Sequence, residues 1–314
     1  MGILSSLFSL TSNEEDIQKK ADRKKFDILK YDGIRAQRIG RFDYAMKCYT
    51  EALKIEKDFE TMKYLVSVFN TLNMHDRALE TLNEMVATEE EPVNSLLMRA
   101  NILVTMEKYA ESAADCLNVI QLEPDNCFAY FQLAKAELAS GETNSALEHL
   151  YKATALKDDF VEAYTLRANV NLTMNSKDKA LIDIGKLIEL TPEDESAYLL
   201  RGGLYESIND TDAALNDYRQ ALELNPFNET AYLQIGALLM KLEKYDDAIE
   251  LFDEAIENIE TSAKAYAARA LVKRKTGDNK GASADEEKAK EINPEENINP
   301  DGNNFDNLYS GNII

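Results

Sequence analysis

ESAYLLRGGLYESINDTDAALNDYRQALELNPFN, residues 195–228, is followed at once by ETAYLQIGALLMKLEKYDDAIELFDEAIENIETS, and preceded by VEAYTLRANVNLTMNSKDKALIDIGKLIELTPED. The three stretches share one skeleton, so the chain is a run of similar tiles. Self-similarity at a period of this size marks an array that grows by stacking units, not by enlarging one core. Units begin at residues 26, 59, 93, 127, 161, 195, 229 and 263; seven of the eight are 34 residues long and one is 33.

Small residues recur at the eighth position (Gly33, Ala100, Ala134, Ala168, Gly202, Gly236, Ala270) and the twentieth (Ala45, Ala78, Ser112, Ala146, Ala180, Ala214, Ala248, Ala282). Larger side chains stand at the twenty-fourth, among them Tyr49, Leu82, Leu150, Ile184, Tyr218 and Phe252. Spacings of three and four are those of an amphipathic helix, so each unit reads as a first helix and a second helix packed closely against it. Pro124, Pro192, Pro226 and Pro294 stand where the second helix must stop, since proline lacks the amide hydrogen and restricts its backbone. Strands have no place in the pattern.

These positions resemble the tetratricopeptide repeat family, most closely in the quoted unit and in KYDDAIELFDEAIE at 244–257. The resemblance covers residues 26–296 and departs from the pattern at Val66, Met85 and Glu286. It implies an all-α fold: a right-handed α-solenoid of antiparallel helix pairs, eight tetratricopeptide-type repeats in all. Residues 1–25 form an N-terminal segment leading into the first repeat, and 297–314 a polar tail whose Phe305, Leu308 and Tyr309 are candidates to fold back. The second helix of the last unit, within residues 279–293, is polar enough to serve as a wetted end cap. Ser12 and Glu15 offer a capping box, with a helix expected from Asn13 onward.

Composition narrows the function. A net charge of −22 argues against nucleic acid as the main partner. Cys48, Cys116 and Cys127 are odd in number and lack metal or redox spacing, which favours a reducing, cytoplasmic setting. The apolar start MGILSSLFSL is too short to span a bilayer, although Gly2 and Ser6 fit the loose pattern for acylation. Two isolated histidines, His75 and His149, make no metal or triad spacing, and no glycine-rich phosphate loop occurs. No catalytic residue, metal or cofactor is expected, and the chain reads as a non-enzyme.

The family geometry implies a groove lined by the first helices. Its candidate protein-binding residues here are Lys30, Lys63, Asn101, Phe131, Lys135 and Asn169, with Leu97, Leu138, Leu199, Leu233, Ala237 and Met240 beside them. Some family members hold an acidic chain terminus with lysines and asparagines at fixed positions. Lys30 and Lys63 supply only the lysines, because Ile34 and Ser67 stand where asparagine is needed. The expected function is a scaffold or adaptor for another protein or an extended peptide. The alternative is a peripheral membrane-associated assembly factor, docked through the basic run KKADRKK at 19–25 with Lys19, Lys20, Lys24 and Lys25.

Overall fold

A computed structural model describes residues 2–88 and 92–294, with side chains from residue 17 onward. Sixteen helices, and no strand, occur among the described residues. In chain order they are α1 (Gly2–Arg38), α2 (Phe42–Ile55), α3 (Phe59–Thr71), α4 (His75–Thr88), α5 (Val93–Thr105), α6 (Tyr109–Leu122), α7 (Cys127–Ala139) and α8 (Thr143–Leu156). There follow α9 (Val161–Thr173), α10 (Lys177–Leu190), α11 (Glu195–Ser207), α12 (Thr211–Leu224), α13 (Glu229–Lys241), α14 (Tyr245–Asn258), α15 (Ala263–Thr276) and α16 (Asn279–Ile292). The chain divides into two compact units, residues 1–160 with α1–α8 and residues 161–314 with α9–α16. Within each unit the helices pack as consecutive pairs, which is the α-solenoid architecture.

Why each pair closes as it does follows from two positions. Gly33 faces the ring of Tyr49, Gly202 that of Tyr218, and Gly236 that of Phe252; a Cβ at Gly33 or Gly202 would stand only 2.5 or 2.6 Å from the ring. Where the residue at that place is alanine, its partner is smaller: Cys116 opposite Ala100, Leu150 opposite Ala134, Ile184 opposite Ala168. All of these partners are buried. Volume is therefore conserved across each pair, as close packing demands.

The turn between the two helices repeats as well. Gly40, Asn73, Glu107, Gly141, Asn175, Asn209, Glu243 and Gly277 all have positive φ, between 56° and 90°. This left-handed residue lets the chain bond back onto the helix it leaves: Asn209 N donates to Glu206 O at 2.9 Å and Asp210 N to Tyr205 O at 2.9 Å. At the opposite ends, Asp58, Asn126, Asp194, Asn228 and Ser262 accept backbone N–H bonds at the starts of α3, α7, α11, α13 and α15.

Buried polar pairs form a third repeated device. Arg99, Arg167, Arg201 and Arg269 each grip an aspartate on the following helix, Asp115, Asp183, Asp217 and Asp285, always 16 residues on. All four aspartates are buried. Arg99 and Arg269 also reach Asn83 (2.9 Å) and Asp253 (2.6 Å) on the second helix of the preceding pair. One guanidinium thus ties three helices through its fixed fork of donors.

At the N-terminus the structure departs from expectation. Helix α1 already runs from Gly2, so no helix starts at Ser12 or Asn13. A capping box requires a free first turn, and here the backbone of residues 12–15 lies inside a continuing helix. The side chains of Ser12 and Glu15 lie outside the described residues, as do residues 297–314 with Phe305, Leu308 and Tyr309. At the other end α16 buries only Ala282, Asp285 and Ala289. Glu286, where most units carry a large apolar residue, pairs with Arg274.

Candidate functional site

In the first unit the helices α1, α3, α5 and α7 present the candidate groove residues. Lys30 is committed before any ligand arrives: its ammonium donates to Asp58 Oδ2 at 2.9 Å and Glu60 Oε2 at 2.5 Å. Asp58 also caps α3 through Thr61 N (2.9 Å) and accepts from Thr61 Oγ1 (2.6 Å). Burial pushes the Asp58 carboxyl up, but the bonds from Thr61 and Lys30 outweigh it and hold the group below its ordinary value. Lys63 sits half-buried on α3.

Asn101, Phe131 and Lys135 come together. Lys135 lies one repeat beyond Asn101, and its Nζ stands 3.4 Å from Asn101 Oδ1. The same ammonium lies 5.8 Å from the centre of the Phe131 ring. Phe131 tilts against the buried Phe160 at 5.0 Å between centroids, and Phe128 meets Phe160 edge-on at 5.1 Å. Lys157 stands over Phe160 and Phe128 at 4.9 and 5.1 Å. The result is a cluster of three phenylalanines flanked by two ammonium groups, with Phe128 49% exposed. Half-buried Leu97 and Leu138 lie on the same two helices, α5 and α7. Such a surface offers an apolar seat, cation–π capacity and an amide within one repeat spacing.

In the second unit Asn169 is exposed on α9, while Leu199, Ala237 and Met240 are half-buried. Leu233 is 4% exposed and belongs to the core around Tyr218 and Phe252, so it packs and does not face a ligand. On α1, Lys19, Lys20, Lys24 and Lys25 are all exposed, whereas Arg23 between them bonds to both oxygens of Glu56 at 2.5 and 2.7 Å.

Reactive groups are placed structurally. His149 Nδ1 lies 2.7 Å from Glu137 Oε2, linking α8 to α7. The Cys116 thiol is buried and pushed up to about 12 by that burial, far from the thiolate that chemistry would require. Among the described residues, no group of three or more His, Cys, Asp or Glu is arranged to hold a metal ion. Nor is any helix among them long and apolar enough to cross a membrane.

The Arg–Asp grips and the Phe128–Phe160 contact escaped the reading of the sequence. A signal for the first was present, since arginine at the seventh position and aspartate at the twenty-third recur together in four units. Apolar periodicity does not register polar pairs.

Comparison with known proteins agrees with this architecture. Residues 199–265 match the family model described as Tetratricopeptide repeat. PilF of Pseudomonas aeruginosa superposes with a TM-score of 0.54 at 19% identity, covering 69% of this chain and 99% of its own. MamA from Desulfovibrio magneticus RS-1 gives 0.48 at 18% identity, covering 54% of this chain and 96% of its own. YrrB, described as a TPR protein with an unusual peptide-binding site, gives 0.47 at 21%, covering 58% and 94%. No curated protein matches the chain. The family match identifies residues 199–265 as tetratricopeptide repeat sequence, and the same helix-pair architecture recurs through the other described residues.

Proposed function

We propose that the protein is a non-enzymatic scaffold that binds another protein or an extended peptide along its first helices. The observation carrying this reading is the Asn101–Phe131–Lys135 group with its two further phenylalanines. Phe128 and Phe131 reach solvent here beside two ammonium groups, while Phe160 beneath them belongs to the core, and a repeat core does not need the two outer rings. The helices that present them are already packed, so binding spends little on ordering the receptor. The net charge of −22 favours protein over nucleic acid as partner, and reduced cysteines fit a cytoplasmic place. No cofactor enters this reading. Lys63 and Asn169 extend the candidate surface along each unit's first helices, whereas Lys30 is held by Asp58 and Glu60.

The test is quantitative co-purification from native lysate with wild type and with Phe131→Ala plus Asn101→Ala. A stoichiometric protein absent from the variant, with helicity unchanged, is the expected result; identical partners on both would overturn the assignment of these residues.

A second reading rests on the four exposed lysines of α1. It makes the protein a peripheral membrane-associated assembly factor docked through Lys19, Lys20, Lys24 and Lys25. Under that reading, replacing all four with glutamine moves the protein from the membrane to the soluble fraction on sedimentation. Under the scaffold reading, the distribution does not change.

A further inference from the structure

Residues 17–41 carry nine lysines and arginines against three aspartates, in a chain whose net charge is −22. Part of that positive charge is spent internally: Arg23 on Glu56, and Lys30 on Asp58 and Glu60. Arg38 is different. It is exposed and has no carboxylate within ion-pair distance among the described residues. Arg35 is also exposed, and its ion pair with Asp32 on its own helix is long, at 3.7 Å.

Both arginines line a depression of about 560 Å³ between α1 and α3. Its other lining residues are Lys30, Tyr31, Ile34, Glu60 and Tyr64. Tyr31 is 64% exposed, whereas Tyr64 is fixed, stacked on Tyr49 at 5.7 Å with its hydroxyl donating to Glu60 at 3.0 Å. Ile34 packs onto the core beneath. Glu60 is the one carboxylate among the lining residues; it shares the Lys30 ammonium with Asp58, and that bond holds its pKa below the ordinary value.

From this juxtaposition we infer that the depression is a docking site for an acidic peptide segment bearing an aromatic or large aliphatic side chain. The inserted side chain packs on Ile34 and Tyr64 under Tyr31. Flanking carboxylates take the guanidinium forks of Arg35 and Arg38, whose geometry suits bidentate recognition. Charge complementarity selects the occupant. Elsewhere the chain is strongly acidic, so an acidic segment is steered towards this basic patch and repelled from the remainder. The inference deepens the scaffold reading, resting on it for the class of partner but using different residues.

Fluorescence anisotropy with the full chain tests it. The probes are a short labelled Glu-rich peptide with one phenylalanine, the same peptide with serine for phenylalanine, and a Lys-rich counterpart. The Glu/Phe peptide is expected to bind, weakening by about tenfold with Arg35→Gln plus Arg38→Gln and falling further as salt rises. The serine peptide is expected to bind more weakly, and the Lys-rich peptide not at all. Replacing Lys19, Lys20, Lys24 and Lys25 with glutamine is expected to leave affinity within about twofold, because those lysines lie outside the depression.

Absence of Glu/Phe binding, equal binding of the Lys-rich peptide, or indifference to the two arginine changes would each overturn the inference. So would capture by phosphatidylserine vesicles, but not by peptide, that the arginine changes abolish. The two arginines are exposed, so circular dichroism is expected to show unchanged folding in their variant. The Phe131→Ala plus Asn101→Ala variant keeps the two claims apart. If it keeps its partner while the Glu/Phe peptide binds, the scaffold assignment at Phe131 fails and this site stands. If it loses its partner while the wild-type chain does not bind the peptide, the assignment at Phe131 stands and this site fails.

Discussion

Arg201 holds the buried carboxylate of Asp217 with two prongs, Nε to Oδ2 at 2.7 Å and Nη2 to Oδ1 at 2.8 Å. This joins α11 to α12 at the same place as in three other helix pairs. Removing one partner leaves a charge stranded in a largely buried site, so Asp217→Ala is expected to lower unfolding free energy by about 3 kcal/mol. Replacing both, Arg201→Met with Asp217→Leu, is expected to cost far less, because an apolar pair leaves nothing unsatisfied. Urea unfolding followed by circular dichroism measures both; equal losses would show that the pair itself, not the stranded charge, sets the stability.

The contact between Gly202 and Tyr218 gives a second prediction. Gly202→Ala drives a methyl against the ring and is expected to destabilise by about 2 kcal/mol. Adding Tyr218→Leu recreates the Ala134–Leu150 combination already used in α7 and α8, and is expected to recover part of that loss. A double-mutant cycle by urea unfolding reads the coupling. Simple additivity would refute the proposed fit between small and large residue.

Glu107 and Glu243 occupy left-handed positions at φ 58°, where neighbouring pairs use glycine or asparagine. Such backbone is costly for a residue with an ordinary Cβ. Glu107→Gly and Glu243→Gly are each expected to raise stability by about 0.5–1 kcal/mol, read as a higher melting temperature in calorimetry. A fall in melting temperature would mean that these glutamates make contacts which outweigh the strain.

Asp58 links pH to the first two repeats. Because its folded pKa is depressed, its contribution is complete above the ordinary aspartate value and is lost as pH falls through the folded value. Asp58→Asn keeps an oxygen to cap α3 but removes the titration. Its stability curve is expected to be flatter than wild type below about pH 4, and parallel curves there would contradict the assigned shift.

Much of this was legible in the sequence for a physical reason. Helices α3, α5, α7, α9, α11, α13 and α15 begin at residues 59, 93, 127, 161, 195, 229 and 263, because a repeated core forces repeated apolar spacing. Ala146 and Tyr218 could be assigned to packing on size and period alone. Lys30 could not be read as neutralised, since its partners Asp58 and Glu60 stand around the start of the next repeat, 28 and 30 residues away. The depression at Arg35 and Arg38 was equally hidden, because Tyr64 reaches it from a different repeat. Leu233 shows the opposite limit: a groove position by number, it is core by contact. Helix α1 escaped notice at its start because the capping signal at Ser12 lies in its interior.

The proposed partner contact lies on the first helices around Phe131. The most direct measurement places the photo-crosslinking residue p-benzoylphenylalanine at Phe131 and, separately, at Leu117, which is 48% exposed on α6. Each full-length protein is irradiated in native lysate. One dominant adduct is expected from position 131 and none from 117, with the adduct diminished by Asn101→Ala. A dominant adduct from 117 and none from 131 would contradict that contact.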